Sequence, residues 1–143
     1  MSVTVDTNIL LYASNGDDPL HARARELLER LAGGPDLLYL FWPTIMGFLR
    51  IATHPSIFPN PTSPEQAMTA VSVLLERPTV RVEAEEAGFW DTYRRTAGSD
   101  TRGNHVPDAH LVALMRRHGV TAIYTRDRDF RRYEGIEARD PFA

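Results

Sequence analysis

The segment VTVDTNILLYA, residues 3–13, decides the fold class of this 143-residue chain. Val3–Val5 belongs to a short apolar run and is predicted to be the first strand. The residues that follow, Asp6-Thr7-Asn8, form a turn or a helix cap before a helix begins. An acid between a strand and a helix is typical of an open α/β sheet, in which ligands bind outside the carboxyl ends of the strands.

The same alternation of apolar runs and helical patterns continues along the chain. It predicts an α/β sandwich with a mainly parallel sheet and one domain, residues 1–143. The predicted strands are Val3–Val5, Leu37–Phe41, Val80–Val82, Val120–Tyr124 and Ile136–Ala138. The predicted helices are Ile9–Ala13, Leu20–Leu31, Pro43–Ala52, Ser63–Leu75, Glu85–Thr96, Asp108–His118 and Asp127–Arg132, with Gly98–Val106 as a polar loop.

The composition excludes several classes of function. The chain contains no cysteine, which excludes disulfides and thiolate zinc sites. All 16 basic side chains are arginine, so mechanisms that need a lysine are excluded as well. No apolar run approaches the roughly 20 residues of a membrane span, and the N-terminus lacks a signal-peptide pattern. We therefore expect a cytoplasmic protein with no membrane partner.

Three aspartates carry the chemistry that the sequence predicts. Asp6 and Asp127 follow apolar runs, and Asp108 opens a predicted helix. Brought together at the carboxyl edge of a parallel sheet, these acids would form an oxygen-rich pocket suited to Mg²⁺ or Mn²⁺. That pattern indicates a metal-dependent phosphoryl-transfer enzyme, and it favours a nuclease.

Four segments resemble the PIN domain, specifically the ribonuclease toxins of VapBC-type toxin–antitoxin pairs. The resemblance covers nearly the whole chain and depends on the order and spacing of the segments. They are VDTNILLYA (5–13), FWPTIMGFLRIATHP (41–55), VPDAHLVALMRRHG (106–119) and IYTRDRDFRRYEGIE (123–137). The resemblance implies a three-layer α/β/α sandwich, an acidic site for Mg²⁺ or Mn²⁺, and RNA as substrate, with transfer or ribosomal RNA expected. It also implies a VapB-type antitoxin partner and a homodimer.

The resemblance assigns roles to particular residues of this chain. It makes Asp6, Asp108 and Asp127 the catalytic acids and metal ligands, and it leaves Asp129 open as an outer metal ligand. Hydrogen bonds would orient these acids, and an arginine could contact RNA phosphates. The orienting residues are Thr7, Asn8 and Thr125, and the arginine is Arg50.

One position departs from the family pattern. The family usually has a glutamate in the third helix, and this chain has Gly47 at that position, within WPTIMGFLR. Three explanations are open: a natural subfamily that works with aspartates alone, a disarmed toxin, or a relative that binds RNA or antitoxin without cutting. Three aspartates could hold one ion well, and we expect a second ion only when RNA is bound.

Simpler interpretations exist for each candidate residue. Asp6, Asp108 and Asp127 could be helix caps, although a cap can also bind a metal. The five histidines lack paired ligand spacing and are predicted to be structural. Haloacid-dehalogenase-like phosphatases and phosphorylated receiver domains are disfavoured because both need a second early acid and a lysine. A binding module with a PIN-like fold, in which Gly47 replaces the glutamate, remains the competing hypothesis.

Overall fold

A five-stranded sheet forms the centre of the computed structural model, which describes residues 1–143. The strands are β1 (Ser2–Val5), β2 (Leu37–Phe41), β3 (Val80–Glu83), β4 (Ala122–Tyr124) and β5 (Glu137–Arg139). Their order across the sheet is β3-β2-β1-β4-β5, and every pairing is parallel. The predicted parallel α/β sheet is therefore confirmed.

Six α-helices and one 3₁₀ helix connect the strands. They are α1 (Thr7–Ser14), α2 (His21–Ala32), α3 (Trp42–Ala52), α4 (Pro64–Leu75), α5 (Phe89–Ala97), α6 (His105–Arg117) and the 3₁₀ helix (Arg128–Arg132). None of these helices combines the length and the apolar character needed to cross a membrane.

Hydrophobic side chains on the two faces of the sheet form two separate cores. Val5 and Leu40 are buried among apolar residues of α1, α2, α3 and α4. Ile123 is buried on the opposite face, against α6 and the 3₁₀ helix. Its neighbour Ala122 belongs to the first core, as expected from the two-residue period of a strand. Helices therefore cover both faces, which confirms the three-layer arrangement.

The start of α6 differs from the prediction by three residues. The predicted helix begins at Asp108, but α6 begins at His105 and includes Pro107 in its first turn. Proline is tolerated there because the first backbone N–H groups of a helix have no partner within the helix. Asp108 is therefore not the cap of α6, and it lies one turn from His105.

The start of α5 also differs from the prediction. The helix predicted for Glu85–Thr96 begins at Phe89, four residues later. Gly88 precedes it with a φ of 88°, a left-handed conformation that an α-helix cannot contain. Smaller differences affect β3, which includes Glu83, and β5, which is shifted by one residue to Glu137–Arg139.

Candidate active site

The carboxyl ends of β1 and β4 lie side by side at the centre of the sheet. Val5 pairs with Tyr124, and the Asp6 backbone N–H donates to the Tyr124 carbonyl at 3.1 Å. The strand order reverses here, because β2 and β3 lie beyond β1, while β5 lies beyond β4. Such a switch point is where open α/β sheets bind ligands.

A cavity of about 480 Å³ lies at this edge of the sheet. It is lined by all three aspartates that the sequence nominates as catalytic, Asp6, Asp108 and Asp127. Two predicted orienting residues and the predicted RNA-contacting arginine also line it, namely Thr7, Asn8 and Arg50. Four segments that are distant in the sequence therefore meet at one cavity.

Asp6 is both the cap of α1 and part of the cavity wall. The residue is only 8% exposed. Oδ1 accepts from the Asn8 backbone N–H at 2.6 Å, and Oδ2 accepts from the Thr125 hydroxyl. Burial raises the pKa of Asp6, and the charge of Asp127 adds to the increase, while the bonds from Thr125 and Asn8 oppose it. The cap and the candidate ligand are thus the same carboxylate.

Thr125 connects Asp6 to the loop that carries Asp127. The residue is 2% exposed, and its hydroxyl donates to Asp6 Oδ2. The same hydroxyl accepts from the Asp127 backbone N–H at 2.9 Å. This pair of bonds fixes the predicted orienting residue between two of the acids.

Replacing Thr125 with valine is expected to lower the free energy of unfolding by about 1–3 kcal/mol, because a buried carboxylate and a backbone N–H each lose a partner. Thr125→Ser is the matched control, since it retains the hydroxyl and loses only a methyl group. Urea denaturation at neutral pH measures both variants. Equal stability of the two variants would contradict the orienting role.

Asp127 and Asp129 lie in the short segment after β4. Asp127 caps the 3₁₀ helix, where its Oδ1 accepts from the Asp129 backbone N–H at 2.9 Å. The side chain of Asp129 is more exposed than those of the other acids, and its Oδ2 points toward α6, 3.8 Å from His105 Nδ1. The structure therefore brings Asp129 to the side of the site formed by α6.

Asp108 is the acid whose pKa is shifted most by its surroundings. Its side chain is 18% exposed, in the first turn of α6. Burial is the largest cause that raises the pKa of Asp108 to about 6; the charges of Asp127, Asp129 and Asp6 act in the same direction, and His105 opposes them. Four carboxyl groups close enough to perturb one another form a single electrostatic cluster.

Sequence reasoning missed His105. Its Nδ1 lies 3.9 Å from Asp108 Oδ2 and 3.8 Å from Asp129 Oδ2, and this atom is buried without a hydrogen-bond partner. The sequence predicts that the histidines are structural, and the structure places this one beside two of the acids. The signal was the His105-x-x-Asp108 spacing, which places both on one helix face only if the helix begins before Pro107.

His110 is a second correction on the same helix. The two-residue spacing from Asp108 predicts that His110 faces away, yet it lines the rim of the same cavity. Its Nε2 contacts Glu85 Oε1. Its ring packs edge-on against the ring of Phe89, with the two ring centroids 5.4 Å apart. Glu85, before α5, and Phe89, the first residue of α5, therefore hold His110 at the site.

The donor set fits a divalent cation. His105 Nδ1 and one carboxylate oxygen each from Asp108 and Asp129 all lie within 4.8 Å of one another. Ligands around a six-coordinate ion with bonds near 2.1 Å are separated by about 3.0 to 4.2 Å, so small movements would suffice. The buried Nδ1 without a partner is the atom that such an ion would satisfy.

Gly47 lies in the cavity wall on α3, opposite Thr7. A Cβ atom at this position would lie 3.2 Å from Thr7 Oγ1, which itself donates to the Thr44 carbonyl at 3.3 Å. Glycine therefore allows α3 to approach α1 closely. The same contact means that any side chain introduced at position 47 requires Thr7 to move by a few tenths of an ångström.

Comparisons with known proteins agree with this architecture. Residues 3–136 match the model of the PIN domain. The chain is 49% identical over 144 residues to Ribonuclease VapC48 of Mycobacterium tuberculosis, covering 100% of this chain and 99% of the relative. Ribonuclease VapC43 of the same organism is 37% identical over 138 residues, covering 96% and 93%.

Solved structures resemble the fold at lower sequence identity. The crystal structure of Mycobacterium tuberculosis VapC20, a Sarcin-Ricin loop cleaving toxin, gives a TM-score of 0.70 at 23% identity, covering 96% of this chain and 99% of that one. The structure of VapBC2 from Rickettsia felis bound to a DNA fragment from its promoter gives 0.65 at 16% identity, covering 97% and 98%.

Proposed function

We propose a function for this chain on the premise that it belongs to the PIN domain family. It is a VapC-type ribonuclease, the toxin of a toxin–antitoxin pair, as its full-length similarity to Ribonuclease VapC48 supports. The finer proposal is that it hydrolyses RNA phosphodiester bonds with Mg²⁺ or Mn²⁺, and that residues 1–143 form one PIN domain. The observation that carries the mechanism is the meeting of Asp6, Asp108 and Asp127 at one cavity.

The acids at the cavity would hold the cation. We assign Asp6, Asp108 and Asp127 as metal ligands and catalytic residues, with Asp129 as a further ligand. When bound, the ion supplies an activated water and neutralises charge at the phosphorus. The protein's own contribution is to keep these carboxylates in place and ionised beside one another, at an electrostatic cost that the cation relieves.

Neighbouring residues would orient the acids and the RNA. Thr125 and Asn8 hold the two oxygens of Asp6 in fixed directions. Thr7 bonds to the Thr44 carbonyl and so supports the packing of α1 on α3 beside the cavity. Arg50 is exposed at the cavity and supplies a cation for an RNA phosphate.

The proposed partners follow from the family. Structures described as VapBC complexes, from Rickettsia felis and nontypeable Haemophilus influenzae, support a VapB-type antitoxin for this chain. The proposed substrate is transfer or ribosomal RNA. We also propose a homodimer, which sedimentation of the purified protein would test.

RNA cleavage by the purified chain tests the proposed activity. We expect discrete fragments from total RNA in Mg²⁺ or Mn²⁺, and none after chelation with EDTA. Asp127→Asn should abolish cleavage, whereas the matched control Asp17→Asn, at an exposed aspartate outside the cavity, should retain it. Cleavage that persists in EDTA and in Asp127→Asn would overturn the proposal.

A second candidate function is a binding module that holds RNA or antitoxin without cutting. The observation in its favour is Gly47, which leaves the α3 side of the cavity without the carboxylate usual in the family. Failure of the purified chain to cleave RNA, together with retained RNA binding, would favour this alternative.

Changing Gly47 to glutamate is expected to raise the affinity for Mn²⁺ by about tenfold, which is the lower end of the range for losing or gaining a supporting metal contact. Gly47→Ala is the matched control, because it makes the same 3.2 Å contact with Thr7 but adds no carboxylate. Both substitutions should stabilise α3 by up to about 1 kcal/mol through higher helix propensity, and the close contact with Thr7 should offset part of this gain. Calorimetry measures the affinities. Equal affinities for the two variants would mean that position 47 does not face the ion.

A further inference from the structure

His105 carries an observation that the proposed function does not use. Its Nδ1 atom is buried and has no hydrogen-bond partner, although the side chain as a whole is 42% exposed. The atom faces Asp108 Oδ2 at 3.9 Å and Asp129 Oδ2 at 3.8 Å. Both separations are too long for a hydrogen bond, which normally spans about 2.7–3.2 Å.

A cation bound between the nitrogen and the two carboxylate oxygens would give all three atoms a partner. An ion about 2.1 Å from each of two ligands holds them about 3.0 Å apart at a right angle and about 4.2 Å apart when opposite. The observed separations of 3.9 Å and 3.8 Å fall inside that range. The nitrogen and the two oxygens also lie within 4.8 Å of one another, so one ion could reach all three.

We propose that His105 binds a divalent first-row transition metal directly through Nδ1, together with Asp108 and Asp129. The inference rests on the proposed function because Asp108 is common to both sets of ligands. It assigns Asp129 an inner position, where the sequence left it open as an outer ligand. It also adds a nitrogen ligand from α6 to a site in which α3 contributes no carboxylate, because position 47 is glycine.

The nitrogen donor defines which metals fit. Mg²⁺ prefers hard oxygen ligands and keeps much of its water, whereas imidazole suits transition metals. Mixed nitrogen and oxygen coordination therefore selects Mn²⁺ and later metals of the row over Mg²⁺. Neutral imidazole has one ring nitrogen with a lone pair that can bind a metal, and the buried Nδ1 of His105, which has no hydrogen-bond partner, is the nitrogen that faces the two carboxylates.

Pulsed electron paramagnetic resonance with Mn²⁺ alone tests the assignment on the full chain. We expect modulation from a directly bound nitrogen in the unmodified protein and its loss in His105→Asn. The matched control is His118→Asn, because His118 directly follows the last residue of α6 and belongs to a second His–Glu cluster, with Glu83 and Glu86. That variant should retain the signal. An unmodified protein without bound nitrogen, or a signal that survives in His105→Asn, would overturn the inference.

Calorimetry gives a second readout. His105→Asn should weaken Mn²⁺ binding by at least about tenfold, the lower end of the range for disturbed metal contacts, and Mg²⁺ binding by much less. His105→Asp restores a ligand at the same position, so it should recover much of the Mn²⁺ affinity without any nitrogen signal. Recovery also excludes misfolding as the cause of the loss. Equal weakening for Mn²⁺ and Mg²⁺ would count against the inference.

The outcomes separate this inference from the proposed function. RNA cleavage in Mg²⁺ without any nitrogen signal in Mn²⁺ would leave the ribonuclease intact and overturn the role of His105. A nitrogen signal that depends on His105, in a protein that cuts no RNA with either metal, would support the metal site and overturn the ribonuclease.

Discussion

Changing Asp108 to asparagine is expected to lower the rate of RNA cleavage by at least about 100-fold, because the change removes a charged ligand from the centre of the proposed metal site. Asp108 is the acid that the charges of Asp127, Asp129 and Asp6 all perturb, so it is central to the cluster. Asparagine has nearly the same shape, and the packing of α6 should be preserved.

Single-turnover cleavage of RNA measures this effect, and circular dichroism checks that the variant is folded. Asp17→Asn is the matched control, at an exposed aspartate outside the cavity. The variant should also lose affinity for Mn²⁺, which separates loss of the metal from loss of RNA binding. A folded Asp108→Asn protein that cleaves RNA at the original rate would remove Asp108 from the mechanism.

We compare the free energy of unfolding of the metal-free protein with that of the metal-free Asp108→Asn variant. The difference between the two is expected to shift against the unmodified protein as the pH rises from about 4 to about 7. The pKa of Asp108 is raised from 3.8 to about 6, so the folded state binds this proton more tightly than the unfolded state does. The stabilising effect of the bound proton is complete below the unfolded pKa and is lost as the pH rises through the folded one. Each pKa unit corresponds to about 1.4 kcal/mol, so the unmodified protein should lose about 2–3 kcal/mol of unfolding free energy compared with the variant.

Urea denaturation in EDTA across this pH range measures the difference between the two proteins. Adding Mn²⁺ at about 100 times its dissociation constant should raise the free energy of unfolding of the unmodified protein by about 2.7 kcal/mol at neutral pH. Asp108→Asn should gain much less. A metal-free Asp108→Asn protein that is markedly less stable than the unmodified one at neutral pH would contradict the clustered-acid interpretation.

Local sequence patterns were sufficient to predict most of the elements. The run Leu37–Phe41 forms β2 with the predicted limits, and Ser63 caps α4 through a bond to the Gln66 backbone N–H. Such signals are local because strand period, caps and turns depend on neighbouring residues. The predicted start of α6 failed for the opposite reason. Pro107 is compatible either with a boundary or with a first turn, and the segment alone does not distinguish the two.

The position of two of the three main acids also follows from the sequence. Asp6 and Asp127 come after strands that alternate with helices, and parallel strands bring their carboxyl ends to one edge. The pairing of Val5 with Tyr124 then decides that these two acids are neighbours. No local pattern specifies that pairing, since it depends on the order of strands across the sheet.

The sequence by itself determined the fold class and which acids lie at the carboxyl edge of the sheet, because both depend on local alternation of strands and helices. Only the tertiary structure decided that Thr125 holds Asp6, that Gly47 lies against Thr7, and that His105 faces Asp129. These contacts join residues distant in the chain, and packing between helices and sheet sets their distances. Because α6 begins three residues earlier than predicted, His105 lies in the site, and the His105-x-x-Asp108 spacing has this meaning only once the start of the helix is known.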